Sequence, residues 1–370
     1  MPTAPPTRAD IAGVASGAGL VAATYVSFLL FAQFAFLTLT KTAAPSALPA
    51  ILGAQGLAGI TGSVLAAVLF RPARAKALIV TGLLLGALAA ALAPFAGGSS
   101  ALVLLAALTG LALGAVTVTL ASTLRGITGP AHLGLACGLG TGAAYALCTV
   151  PPVFEAAPTA QSWLAAAAAF GGAAVAWSLR FDPTPPRSEC HLIGDIPVDA
   201  GERPGAWGLI LFAFVAFDSA AFYLIQHTPV LKAAVWSDTG WLHGAVAGQV
   251  LAGVSAGLLL DRGRRATTVL AAILLLAGAV LFLARPAGWI CVPYAAGVAL
   301  YSTALVHYPA LAARPGLAAR IYAVCGWGGS AVGIGFAQGR SGLPAWLALM
   351  AAAIVLLALF LPRRTSSVEG

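Results

Sequence analysis

Apolar residues run along this chain in long, almost unbroken stretches, cut at intervals by Arg, Lys, Pro and Gly. A helix needs about 20 apolar residues to cross a bilayer. That ruler predicts twelve spans, at 11–38, 46–70, 76–96, 100–123, 130–150, 161–179, 206–230, 239–260, 266–285, 288–311, 317–338 and 342–361. Breakers mark the cuts: Arg71-Pro72, Pro94, Gly97-Gly98, Gly129-Pro130, Pro151-Pro152, Pro286 and Gly342-Leu343-Pro344 fall between spans or at their ends. The first run is too long for a signal-peptide core and reads as a retained helix.

The polar interruptions also orient the spans, because cytoplasmic loops retain Lys and Arg. With the N-terminus inside, fifteen basic residues lie inside: Arg8, Arg71, Arg74, Lys76, Arg125, Arg180, Arg187, Arg203, Arg262, Arg264, Arg265, Arg314, Arg320, Arg363 and Arg364. Only Lys41, Lys232, Arg285 and Arg340 fall outside. A missed or invented helix would scramble this bias, so the count supports orientation and span number together. Both termini are expected to be cytoplasmic, in a multi-pass protein of a bacterial inner membrane.

Composition agrees. Of 370 residues 60% are hydrophobic and 8% charged, with mean hydropathy +0.95, whereas a soluble protein carries about a quarter charged residues. The expected class is therefore an all-α membrane protein embedded in lipid. The net charge of +8 is mostly the topological bias; nucleic-acid binding would need a soluble basic face, which is absent. Cys137, Cys148, Cys190, Cys291 and Cys325 show no CxxC spacing and no metal or disulfide signature.

One long polar segment, 180–205, holds five of the eleven acidic residues and five prolines. It divides the chain into six plus six helices: an N-terminal bundle at 1–179, a cytoplasmic linker at 180–205, and a C-terminal bundle with a short tail at 206–370. The halves compare directly. The turn after span two reads "LFRPARAKALIV" and the turn after span eight "LLDRGRRATTVL", both short and basic. Span five carries Gly134, Gly138 and Gly142; its counterpart, span eleven, carries Gly326, Gly328, Gly329, Gly333 and Gly335. Small residues at four-residue spacing let helix backbones approach closely, for static packing or for surfaces that rock, and the same device in both halves favours rocking.

Six plus six helices, a central linker and "GLLLDRGRR", Gly257 to Arg265, resemble the major facilitator superfamily of transporters. That family's turn is a Gly, an Asp four residues later, then Arg, a spacer, Gly and two basic residues; Asp261, Arg262, Gly263, Arg264 and Arg265 match it without the spacer. The first-half copy keeps the charge in Arg71, Arg74 and Lys76 but has neither Asp nor Gly. The resemblance implies two bundles rocking about a midplane site, with these turns as a cytoplasmic latch. The short loops, "DSAAFYLIQHTP" and "LYSTALVHYPAL", also resemble a small subgroup associated with respiratory cytochrome genes, and a related branch takes up copper for oxidase assembly.

Asp218 is the one acidic residue deep in a span. Its charged form at a helix centre costs roughly 2.5–3.5 kcal/mol on insertion scales, so such residues usually face a cavity and mark ion or proton pathways. It reads as a coupling or cation-binding residue, against a hydrogen-bonded structural aspartate near Ser219. Asp218, Phe222 and Gln226 stand at i, i+4 and i+8 and form one stripe, the composition of a small-ligand site. Spans one, four, seven and ten would line the cavity of such a fold. Span one offers Tyr25, Ser27 and Gln33, span four Thr109, Thr117 and Thr119, and span ten Tyr301, Ser302, Thr303, His307 and Tyr308. His307 is either a proton relay to Asp218 or a histidine hydrogen-bonded between helices.

His227, His243 and His307 are imidazoles of the kind Cu, Zn or Fe would accept, but they fall on three helices at different depths, so no metal site is expected. No cofactor is expected either, since Walker, CxxCH, HExxH and GxSxG motifs are missing. No Arg or Lys lies deep in a span, which argues against fixed-charge recognition of phosphate-like anions. Two functions follow. One is a secondary transporter, not an enzyme, moving a small neutral or cationic solute by alternating access, with proton coupling through Asp218. The other is a non-transporting or assembly subunit of a respiratory cytochrome complex, with transition-metal transport for oxidase assembly as a variant.

Overall fold

The computed structural model describes residues 7–179, 204–340 and 342–360, all of the regular structure helical. Most of the polar linker expected at 180–205, with Arg180, Arg187, Cys190, His191 and Arg203, lies outside the described residues, as do Arg363 and Arg364. Twelve long helical segments follow one another: α1 Arg8–Ala43, α2 Pro45–Leu69, α3 Pro72–Phe95, α4 Ser99–Thr128, α5 Pro130–Thr149, α6 Pro158–Ser178, α7 Pro204–His227, α8 Thr239–Asp261, α9 Arg265–Phe282, α10 Gly288–Ala312, α11 Pro315–Ala337 and α12 Ala345–Phe360. All twelve predicted spans are present. Ten are long and apolar enough to cross a membrane by those measures alone; the Ala-rich α6 and the short α12 complete the set.

The sequence explains the starts. Proline sits in the first turn of α2, α3, α5, α6 and α11, where its missing N–H removes no helical hydrogen bond. At α1, the Thr7 hydroxyl accepts from the Asp10 amide at 3.3 Å and Asp10 accepts from the Thr7 amide at 2.9 Å, a reciprocal cap. Around the outside, Leu57, Val68, Trp177, Leu251, Leu274 and Leu357 stand exposed. An apolar exterior of this kind suits hydrocarbon, where every backbone polar group must be satisfied within its own helix. The chain is a multi-pass membrane protein.

The first six segments pack chiefly on one another, α2 against α4 and α3 against α4 and α6; the last six do likewise, α10 against α8 and α9 and α7 against α11 and α12. Between the sets run two seams, α5 on α8 and α2 on α11. Along the first, a side chain on Gly134 or Gly138 would run into the backbone of Gly257 or Gly253, and one on Gly142 would stand 3.1 Å from the Gln249 carbonyl. The α5 stripe is thus an interface between the halves. The α11 glycines differ: Gly329 and Gly333 press on Val215 and Ala216 of α7, inside their own half. The matched stripes perform different tasks, because the residue facing α2 across the other seam is Trp327, lodged over Gly59.

Candidate functional site

α10 is the most enclosed helix, buried almost without interruption from Gly297 to Ala310. It is the column against which the first half closes. Tyr25 of α1 donates to the Ser302 carbonyl at 3.2 Å, the Tyr145 hydroxyl of α5 meets Ser302 Oγ at 2.9 Å, and the Thr141 and Thr303 hydroxyls meet at 2.7 Å. Arg125 of α4 donates to the Leu311 carbonyl at 3.1 Å. These bonds join helices far apart in sequence; each interhelical hydrogen bond in a membrane protein contributes about 0.6 kcal/mol on average.

Asp218, half-buried midway along α7, points at the same column. Its two carboxylate oxygens accept from Tyr294 at 2.6 Å and Tyr301 at 2.5 Å, both on α10. The tyrosines are seven residues apart, two helical turns, so they share one face. Phe214 stacks on Tyr301 with ring centroids 5.3 Å apart, and Trp236 meets Tyr294 edge-on at 6.1 Å. Two donors, one per oxygen, supply the compensation that a carboxylate in this environment requires.

Beyond this cluster, toward the end of the molecule that carries Lys41 and Lys232, lies an aromatic layer. Phe34 of α1 packs on Phe222 at 5.6 Å and on Phe154 at 5.8 Å, and Phe154 reaches Trp236 at 5.9 Å. Phe34 belongs to a nine-residue π-helical stretch, Ser27–Ala35, a wider winding that recurs at functional sites. Phe154 and Trp236 come from the short helices Pro151–Phe154 and Pro229–Trp236, so the layer joins both halves. Outside it opens a cavity of about 800 Å³ lined by Gln33, Phe34, Lys41, Phe154, Glu155, Gln226, His227, Lys232 and Trp236, among others.

The stripe expected on α7 therefore runs through three levels: Gln226 in the cavity, Phe222 in the aromatic layer and Asp218 on the tyrosines beneath. Gln33 also lines the cavity. Tyr25, Tyr301 and Thr303 lie in the hydrogen-bonded junction. His307 is buried on α10, six residues past Tyr301 toward the Arg-rich end, and Asp218's hydrogen bonds go to the tyrosines instead. Thr109, Thr117 and Thr119 turn back on carbonyls of their own helix, and Ser219 bonds Ser330 at 3.1 Å. His227 lines the cavity with Nδ1 2.7 Å from the Tyr223 carbonyl, while His243 is exposed beside the Thr239 carbonyl. Among the described residues no three His, Cys, Asp or Glu gather as a metal would need.

At the Arg-rich end, Asp261 accepts from the Gly134 amide at 2.6 Å and the Leu135 amide at 2.8 Å, capping the first turn of α5 from the other half. A carboxylate there meets unsatisfied N–H groups and the positive end of the helix dipole. Gly263 ends the α8 turn at φ 71°, a left-handed conformation that favours glycine. Arg262 and Arg264 are exposed and Arg265 is half-buried. Arg71 and Arg74 are exposed, and the hydrogen bonds of Asp261 go to the α5 amides instead. Sequence reasoning missed Tyr294, Tyr145, Thr141, Phe154 and Trp236. Tyr294 was readable as the residue two turns from Tyr301 on the same face; the others gave no signal of their own.

Known proteins bear out the architecture. No family model and no curated protein sequence matches the chain. Solved structures do: the major facilitator superfamily transporter FucP in its outward conformation has a TM-score of 0.62 at 14% identity, covering 95% of this chain and 99% of that one. A variant of the E. coli fucose:proton symporter FucP gives 0.61 at 16% identity, covering 95% and 98%. The human organic anion transporter MFSD10 gives 0.56 at 15% identity, covering 96% and 99%. At such identities the likeness is one of fold: over nearly its whole length this chain has the fold of the major facilitator superfamily transporters.

Proposed function

We propose that the protein is a secondary transporter that moves a small solute across the membrane by alternating access, with the halves at 1–179 and 206–370 as its rocking units and Asp218 as its coupling residue. The observation that carries this reading is the placement of Asp218. It is a carboxylate at mid-depth, held by two tyrosines of α10, with a cavity above it and sealed helices below. Taking the Arg-rich end as cytoplasmic, the cavity faces outward, and the inward path is closed by the glycine seam, by Asp261 on α5 and by Arg125 on α10.

Moving the solute inward requires the cytoplasmic contacts to open while the aromatic layer closes. Asp218 suits coupling because both its partners are hydroxyls. A tyrosine donates to the carboxylate and can accept from the protonated acid, so a proton can arrive or leave without stranding a buried polar group. The Asp261 turn serves as the latch of the outward-facing state.

The test is counterflow in proteoliposomes, screening small solutes at two pH values, with Asp218→Asn alongside. Solute movement that responds to pH in the native protein and not in the variant supports the proposal. Movement with the same pH response in Asp218→Asn removes Asp218 from the coupling step. No movement of any solute, together with a cytochrome partner retained through purification, returns the complex-subunit reading.

A further inference from the structure

The outer cavity holds chemistry that the coupling site leaves unused. Lys41, at the end of α1, and Lys232, on the short helix after α7, line it from opposite halves. Neither has a carboxylate within ion-pair distance among the described residues, although Glu155 stands exposed on the same rim. Deeper in, Gln226 Nε2 is enclosed without a hydrogen-bond partner, as is His227 Nε2. An amide donor enclosed without an acceptor is destabilising. Lys41 is partly buried and Lys232 exposed, so both ammonium groups are open to a ligand that also reaches the enclosed amide. Phe34, Phe154 and Trp236 supply apolar lining to the same cavity.

From this arrangement we infer that the cavity is a recruiting site for a small organic anion. Its carboxylate is taken by Lys41, Lys232 and the Gln226 amide, and its apolar body lies on the aromatic layer. Ammonium groups and an amide N–H are the donors a carboxylate needs, and a concave, low-dielectric mouth concentrates the field of its charges. The expectation of a neutral or cationic solute rested on the lack of Lys or Arg deep in any span. That argument does not reach the mouth, where the fold brings together two lysines 191 positions apart in sequence. The inference rests on the transport reading for the solute's onward path; a proton carried on Asp218 would let the anion pass it without repulsion.

The test reads the cavity directly, whether or not solute moves. Thr38→Cys places a thiol in the cavity lining, in a Cys190→Ser background; Cys137, Cys148, Cys291 and Cys325 are buried. On the full-length protein in detergent, labelling by a sulfonate-bearing methanethiosulfonate is compared with labelling by its trimethylammonium counterpart. The sulfonate is expected to react faster, with the ratio falling by about tenfold in Lys41→Gln/Lys232→Gln and in high salt. Benzoate is expected to slow labelling, with benzamide and inorganic sulfate far weaker. A ratio unchanged by the lysine substitutions and by salt overturns the inference. Equal protection by benzamide would reveal an apolar cavity only, and equal protection by sulfate a charged mouth only; either result also overturns it. Failure of counterflow with intact benzoate protection would sink the transport reading and leave this site standing.

Discussion

The two seams between the halves occupy equivalent places in a pseudo-symmetric fold and are built from opposite materials. Along α5 and α8, glycine faces glycine, and an added side chain at Gly134 or Gly138 would meet main-chain atoms. Along α2 and α11 a single indole, Trp327, covers Gly59 and touches Phe28 edge-on at 6.4 Å. Main chain against main chain leaves nothing to rotate, because packed backbones deform only by moving whole helices. An indole can turn about its two side-chain torsions. In the transport reading, α5 on α8 opens only as whole helices part, while α2 on α11 accommodates change through its side chains. The basic turns follow the same division: Asp261 reaches across to α5, whereas in the first-half copy Lys76 donates to the Leu179 carbonyl at 3.0 Å and lies over Trp177, all within one half.

The largest effect is expected from Gly138→Val. Its side chain would push on the Gly253 carbonyl, and overpacking against rigid surroundings typically costs 1–3 kcal/mol. Thermal unfolding in detergent should show a loss of that order, about 2 kcal/mol. Gly59→Ala should cost less than half as much, because Trp327 can swing aside. Equal losses at the two positions would break the distinction between a rigid and a yielding seam.

Next comes Asp261→Asn. The amide keeps one acceptor oxygen for the α5 amides but loses the charge that favours the helix terminus, a change of about 0.5–1 kcal/mol. Global stability should move little. With the other cysteines replaced, the buried Cys137 of α5 should label faster from the Arg-rich side in the Asp261→Asn background than in its absence, because in the transport reading the Asp261 turn holds that end shut. An unchanged labelling rate would make the cap a packing feature and not a latch.

How much of this was legible follows from where the information lies. The twelve spans were readable because apolar length and loop charge are local properties, and the α7 stripe because helical spacing fixes which residues share a face. Asp218 announced itself through its cost in lipid. Its partners did not: Tyr294 and Tyr301 are identified only by the packing of α7 on α10, and an ordinary tyrosine in an apolar run carries no mark of what it touches. The glycine stripes misled in part for the same reason. Spacing says that a helix can be approached closely, while the approaching neighbour, α8 for α5 and α7 for α11, is a tertiary fact. The outer cavity is harder still, since Lys41 and Lys232 look like ordinary loop charges until the fold brings them to one cavity.

The smallest effect should come from Arg71→Gln/Arg74→Gln, and it sharpens the comparison because the sequence placed these arginines in the same latch as Asp261. Both are exposed, and the α2 to α11 seam is packed by Pro315–Arg320 as well as by the stretch that carries Trp327. Exposed charges without a fixed partner contribute within about 0.5 kcal/mol either way. The double variant should unfold at the native temperature and leave labelling of Cys137 from the Arg-rich side unchanged. With the orientation that the loop charges favour, its one expected defect is topological: removing two of those charges should raise the fraction of misinserted protein slightly, read as reduced yield in membranes. If instead the double variant opened that end as far as Asp261→Asn does, the first-half turn would have to bear on the closed state through its own charges, and the division of labour between the seams would fail.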